Sequence, residues 1–258
     1  MAVTSPRNTL SRYLLLALVG LSCGLAHAQD VEQRKAAILV MDNKVTAESL
    51  ARKERSEAVL RAEGVPLNVN MPAIATEEHA KPRSQAATAY RAMALLIVAA
   101  KGAGLEHDKV QELVSRYDLL QHFSPAERVF IATAEPSEDA RIQFSWRYES
   151  AWTLLWALGY VDELGKPDSV CDVQQAVAFL QQRSAEQFVA DARLRPLPEI
   201  LDQTDRVYRY HWSVVEARLN NTEPAAGLDA GVTYERHYAL NWLMGYMGQE
   251  WDDVNTDT

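Results

Sequence analysis

The sequence predicts an all-α protein, an irregular bundle of about seven to nine helices whose C-terminal half is aromatic-rich and buried. Three observations carry that reading. A helix start is written out at Ser124-Pro125-Ala126-Glu127, with serine as N-cap, proline at the first helical position and glutamate at the third. Trp152 to Leu158 (WTLLWAL) is apolar nearly all round and poor in β-branched residues, which suits a helix central to a core better than a strand. Helical patterns stop repeatedly on glycine or proline, at Gly64 and Pro66 and again at Gly102 and Gly104.

The elements follow in chain order. Arg7 and Arg12 precede an apolar run from Leu14 to Leu25, and Ala26-His27-Ala28 places small residues where a signal peptidase reads them. Residues 1–28 are therefore expected to be a signal peptide, cleaved after Ala28, with the mature protein periplasmic or secreted. The run of about 12 apolar residues is short of the ~20 that a spanning helix needs, so no membrane span is expected. A lipid-anchored variant would use Cys23, but Gly20 stands where leucine is usual. Residues 29–54 form a charged segment, and residues 55–258 read as a single helical domain, without repeat or long linker.

Thr46 is expected to cap a charged helix ending near Glu63, followed by an extended stretch from Val65 to Ala75 with prolines at 66 and 72. Thr76 opens a segment interrupted at Pro82, and Ala86 to Lys101 is an apolar helix. After the helix at Ser124, Ser137 caps another that runs through Gly159, with Tyr148, Trp152, Leu155 and Trp156 on one face. Further helices are expected over Asp172–Arg183, Ala185–Ala192, Glu199–Leu219 and Thr233–Met247, with a turn-rich loop from Asn220 to Gly231. All six tryptophans fall at or after residue 146. Trp251 is read as an anchor for the end of the chain and the acids after it as solvated.

Charge and cysteine exclude several partners. The chain has 26 basic and 35 acidic side chains, a formal net charge of −9, and the leader removes two arginines and no acid. An acidic protein repels phosphate backbones and anionic lipid surfaces, so nucleic acid is not expected as a partner. Cys23 leaves with the leader, so Cys171 stands alone and the mature chain has no internal disulfide. About 230 residues suffice for a core without one.

Several blocks together resemble a bacterial family, domain of unknown function 4272. They are FSWRYESAWTLLWALG from Phe144, the Cys171-Asp172 pair, LRPLPEILDQTDRVYRYHW from Leu194, ERHYALNWL from Glu235 and WDDVNTDT from Trp251. RSEAVLRAEGVPLN from Arg55 is similar to the family's opening. The resemblance implies a helical domain and supplies no catalytic residues.

Familiar catalytic motifs are missing. There is no Walker loop, no G-x-G-x-x-G, no G-x-S-x-G and no H-E-x-x-H. What remains are polar side chains set among aromatics: Arg147, Glu149, Arg206, Arg209, His211, Glu235, His237 and Asn241. Buried charges must pair with each other or line a cleft, so these residues are candidates for a pocket between the last two long helices and the helix of Trp146. The competing reading is a set of ion pairs satisfied within the core. His211 and His237 with Glu235 or Asp252 offer metal-ligand types, but no two histidines stand four apart on one helix, and neither a metal nor a cofactor is expected. Cys171 sits by a helix start, which favours thiolate, but Asp172 beside it opposes that, so a small buried side chain is expected. The sequence therefore points to an exported, non-catalytic binding or interaction protein taking a small polar ligand or a protein. The alternative is a hydrolase, metal-assisted or not, using His211, His237 and a carboxylate.

Overall fold

Thr46 and Ser49 cap each other: the Ser49 amide donates to the Thr46 hydroxyl at 3.2 Å and the Thr46 amide to the Ser49 hydroxyl at 3.0 Å. This capping box starts helix α1 (Ala47–Ala62), the first helix among the described residues. The structure is a computed structural model that describes residues 45–258. The expected leader and most of the charged segment after it lie outside the described residues.

Nine further α-helices follow α1: α2 (Gln85–Gly102), α3 (His107–Arg116), α4 (Pro125–Ala132), α5 (Glu138–Ser145), α6 (Arg147–Ala157), α7 (Val173–Gln181), α8 (Ala185–Asp191), α9 (Leu197–Leu219) and α10 (Ala230–Leu243). Helices α5 and α6 run into each other through Trp146, whose own backbone is helical at φ −61° and ψ −19°. Counted as one bent rod, they leave nine helical bodies among the described residues, within the expected range. No strand occurs among the described residues.

The capping chemistry explains most boundaries. Ser124 and Glu127 form the reciprocal box expected of them, Ser137 accepts from the Ala140 amide, and Asp172 accepts from the Gln175 amide. The last helix starts earlier than expected because the Asp229 carboxylate accepts from the Val232 amide at 2.9 Å. It ends earlier because Gly245, at φ +64°, takes the left-handed turn that closes it. Helix α3 was not among the expected elements. Its N-cap, Glu106, makes no side-chain cap bond, so the usual start signal is missing, although Val110 and Val114 bury one face.

Helices α2 and α6 form the centre. Every residue from Tyr148 to Ala157 is buried, as is the run from Ala92 to Ala99. At their edge Gly102 lets α2 approach α5 so closely that a Cβ there would lie 2.5 Å from the Ser145 amide nitrogen and 2.7 Å from the Arg141 carbonyl oxygen. Helices α9 and α10 pack together, α10 also against α6, and α1 lies on α9. A smaller apolar cluster of Leu60, Val65, Tyr210, Val214 and Leu228 fills the α1–α9 seam. The buried Trp251 ring, edge-on to Trp242 and Tyr238, anchors the chain end as expected. Asp252 is more than a solvated acid: it accepts from the Ala126 amide at 2.9 Å, at the start of α4. No helix among the described residues is long and apolar enough to cross a membrane.

Candidate functional site

The polar residues singled out from the sequence divide among separate networks rather than converging on one pocket. Arg147, at the start of α6, donates from Nη1 to both oxygens of Glu235 on α10 at 3.0 Å. The Ser150 hydroxyl adds a 2.5 Å bond to the same carboxylate. The guanidinium also lies over the rings of Tyr238 and Trp251, 4.8 and 5.7 Å from their centroids. The Glu235 charge is thus neutralised and both its oxygens are engaged.

His211 on α9 and His237 on α10 meet directly, with Nδ1 atoms 2.8 Å apart. Their neighbours fix the protons. Asn241 donates its amide nitrogen to the Asn255 carbonyl at 2.7 Å, which fixes the orientation of that amide. The same nitrogen lies 3.1 Å from His237 Nε2, so that ring nitrogen accepts. His237 Nδ1 therefore carries the proton and donates to His211 Nδ1, which leaves the His211 proton on Nε2. A backbone hydrogen bond to Thr256 that favours a protonated His211 agrees with a donating Nε2. Both rings are neutral. Burial, and then the nearby Arg218 charge, lower the His211 pKa to about 4. Burial holds His237 well below the usual histidine range, and His211 adds to that effect.

Arg209 lies on the face of α9 turned to α1. It forms a two-pronged pair with Asp205 at 2.8 Å and donates to the Pro72 carbonyl at 3.2 Å. Arg206 is half-buried, and its Nε has no hydrogen-bond partner among the described residues. Glu149 points to the loop before α7, accepting from the Cys171 amide at 2.6 Å. Burial raises the Glu149 pKa, and burial together with the Glu149 charge raises that of the Cys171 thiol. Nearby, Arg236 donates to the carbonyls of Leu164 and Gly165 at 2.8 and 3.0 Å.

A groove of about 550 Å³ opens between α9, α10 and the end of α5. Trp146 and Gln143 form one side, and Val214, Val215, Arg218 and His211 come from α9. Ala230, Gly231, Tyr234 and Glu235 come from the first turns of α10, and Thr222 and Pro224 close the end. The position matches the cleft sought between the last two long helices and the Trp146 helix, but only His211 and Glu235 of the candidate residues reach it. Gly231 shapes the wall: a Cβ there would lie 2.6 Å from the Trp146 ring, so the missing side chain lets the indole lie on the helix backbone. Trp146 and Tyr234 are 37% and 40% exposed, unusual for rings of that size, and both face the groove.

The polar groups that reach the groove floor are already engaged with one another. His211 has both ring nitrogens engaged, and Glu235 both oxygens. A metal held by two imidazoles at about 2.0–2.1 Å each would keep the nitrogens more than about 3 Å apart, whereas the Nδ1 atoms are at hydrogen-bond distance. No cluster of three or more His, Cys, Asp or Glu suited to a metal occurs among the described residues. Trp146, Tyr234, Arg218 and the two valines were not among the candidate residues. Aromatic and aliphatic side chains at helical spacing read as core, and only the packing of three elements leaves these uncovered.

No curated protein and no solved structure matches the chain. A family model does match residues 52–254, which is most of its length. The chain therefore belongs to the family described as domain of unknown function 4272.

Proposed function

We propose that this is an exported, non-catalytic binding protein whose groove between α9 and α10 takes a small ligand with an apolar body. The carrying observation is the combination of exposed Trp146 and Tyr234 walls with a floor whose polar groups are already satisfied by one another. A groove of this size with apolar walls and few free polar groups is the usual form of a small-molecule site. The sequence led us to expect a small polar ligand. Of the charged side chains that suggested it, Arg147 and Glu235 pair with each other, Arg209 pairs with Asp205, and only Glu235 reaches the groove, which favours an apolar body instead. Export rests on the leader pattern of Arg7, Arg12, the apolar run and Ala26-His27-Ala28.

The hydrolytic alternative draws less support. A general base needs a free nitrogen or oxygen within reach of substrate, and neither His211 nor Glu235 presents one to the groove. His237 lies behind His211 and is buried.

A neutral, environment-sensitive naphthalene dye such as prodan tests the groove. Saturable binding with a blue-shifted emission is expected for the wild-type protein. Val215→Trp, a half-buried wall position, fills the groove and abolishes binding while leaving the melting temperature near wild type. Absence of saturable binding to the wild type, or unchanged binding to Val215→Trp, overturns the reading.

A further inference from the structure

The groove holds one cation without a counter-ion. Arg218, in the last turn of α9, lines the wall, is exposed, and makes no ion pair among the described residues. It shares the groove wall with His211, and its charge adds to the burial that lowers the His211 pKa. The acids nearest in sequence do not neutralise it. Glu216 accepts from the Asn220 side chain at 2.8 Å, and Glu223 is exposed between Thr222 and Pro224 without being part of the wall.

One further feature of the groove favours negative charge. The Tyr234 ring packs edge-on to His211 with centroids 5.8 Å apart, and its hydroxyl has no hydrogen-bond partner among the described residues. Ala230 and Gly231, the first two residues of α10, line the same wall, but the Asp229 carboxylate caps that helix start and offsets its dipole. The acid among the lining residues, Glu235, is already held by Arg147 and Ser150.

We propose that the groove selects an amphipathic carboxylate. Its carboxylate would pair with Arg218 and accept from the Tyr234 hydroxyl, and its apolar body would lie along Trp146, Val214 and Val215. This rests on the groove being a binding site, as proposed above. A protein of net charge −9 has no general attraction for anions, so any preference for the acid must come from this local arrangement. The guanidinium fork suits a planar carboxylate, and apolar walls lower the local dielectric, which strengthens the pairing.

The test compares 4-phenylbutanoate with 4-phenylbutanamide, which has the same apolar body without the charge, by calorimetry and by displacement of prodan. The acid should bind at least about tenfold more tightly than the amide, with an affinity that falls as salt rises. Arg218→Gln, at an exposed position, should remove that preference, so that acid and amide bind it within about twofold of each other, the amide serving as the reference for the groove itself. Equal binding of acid and amide, with both displacing prodan, would leave the groove reading standing and overturn the carboxylate. An acid preference that persists in Arg218→Gln overturns the role of Arg218. Failure of prodan to bind the wild-type protein removes the groove reading itself, and this proposal with it.

Discussion

The Nδ1 atoms of His211 and His237 face each other at 2.8 Å, and a hydrogen bond between them requires that at least one ring stay unprotonated. The bond ties α9 to α10, and Asn241, Asn255 and Thr256 extend the network into the end of the chain. A proton added at His211 Nδ1 would set two N–H groups against each other.

Stability should therefore depend on pH in a defined direction. His211 has a folded-state pKa of about 4 against an ordinary 6.5, so between those values the unfolded chain binds more protons. This contribution is fully present above pH 6.5 and is lost as pH falls towards 4, by at most ~3 kcal/mol for His211. Glu149, with a raised pKa, has the opposite sign and is unchanged in the comparison. Urea unfolding from pH 7 to 4 should show a steeper loss for wild type than for the double variant His211→Gln/His237→Gln. Parallel curves would rule out the shared-proton pair.

The Arg147–Glu235 pair should be costly to break from one side. Glu235→Gln leaves a largely, though not fully, buried guanidinium beside Tyr238 and Trp251 without its counter-charge, and a loss of about 2–4 kcal/mol is expected, below the range for a fully buried pair. Arg147→Met/Glu235→Leu removes both charges and should recover most of that loss. A double variant no more stable than Glu235→Gln would show that the two residues act independently.

Two glycines should respond differently to the same added methyl group. At Gly102 the obstruction is backbone, Ser145 nitrogen and Arg141 oxygen, which cannot move without shifting α5. Gly102→Ala should cost about 1–3 kcal/mol or more. At Gly231 the obstruction is the Trp146 ring, 37% exposed and free to swing outward. Gly231→Ala should cost less and change the emission that Trp146→Phe identifies as belonging to Trp146. Equal costs, with no change in emission, would contradict the packing described for that wall.

Cys171 should be inert. Burial and the adjacent Glu149 carboxylate both disfavour its thiolate. Labelling with a disulfide reagent at pH 8 should be at least about 100-fold slower in the native protein than in urea. Glu149→Gln should speed it in the folded state. Native Cys171 reacting at the unfolded rate would show that the thiol is neither buried nor paired as described.

Local chemistry was the most legible part of this sequence. Ser124, Glu127, Ser137 and Asp172 cap helices by bonds that span only three residues, so their roles can be read from neighbours in the chain. The apolar run from Trp152 to Leu158 required burial on every side, and α6 has it. The C-terminal aromatic cluster and the anchoring of Trp251 followed from the same composition. Helix α3 was lost because Glu106 supplies no cap.

Tertiary structure decided which polar groups pair and which remain free. His211 and His237 are 26 residues apart, Arg147 and Glu235 are 88 apart, and no helical period links either pair. Whether such residues line a cleft or satisfy one another depends on how α6, α9 and α10 cross, because side-chain hydrogen bonds act over about 3 Å while the chain alone fixes only positions one or two turns away. The same crossing leaves Trp146 and Tyr234 uncovered and Arg218 unpaired, which is why the groove appears only in the folded protein.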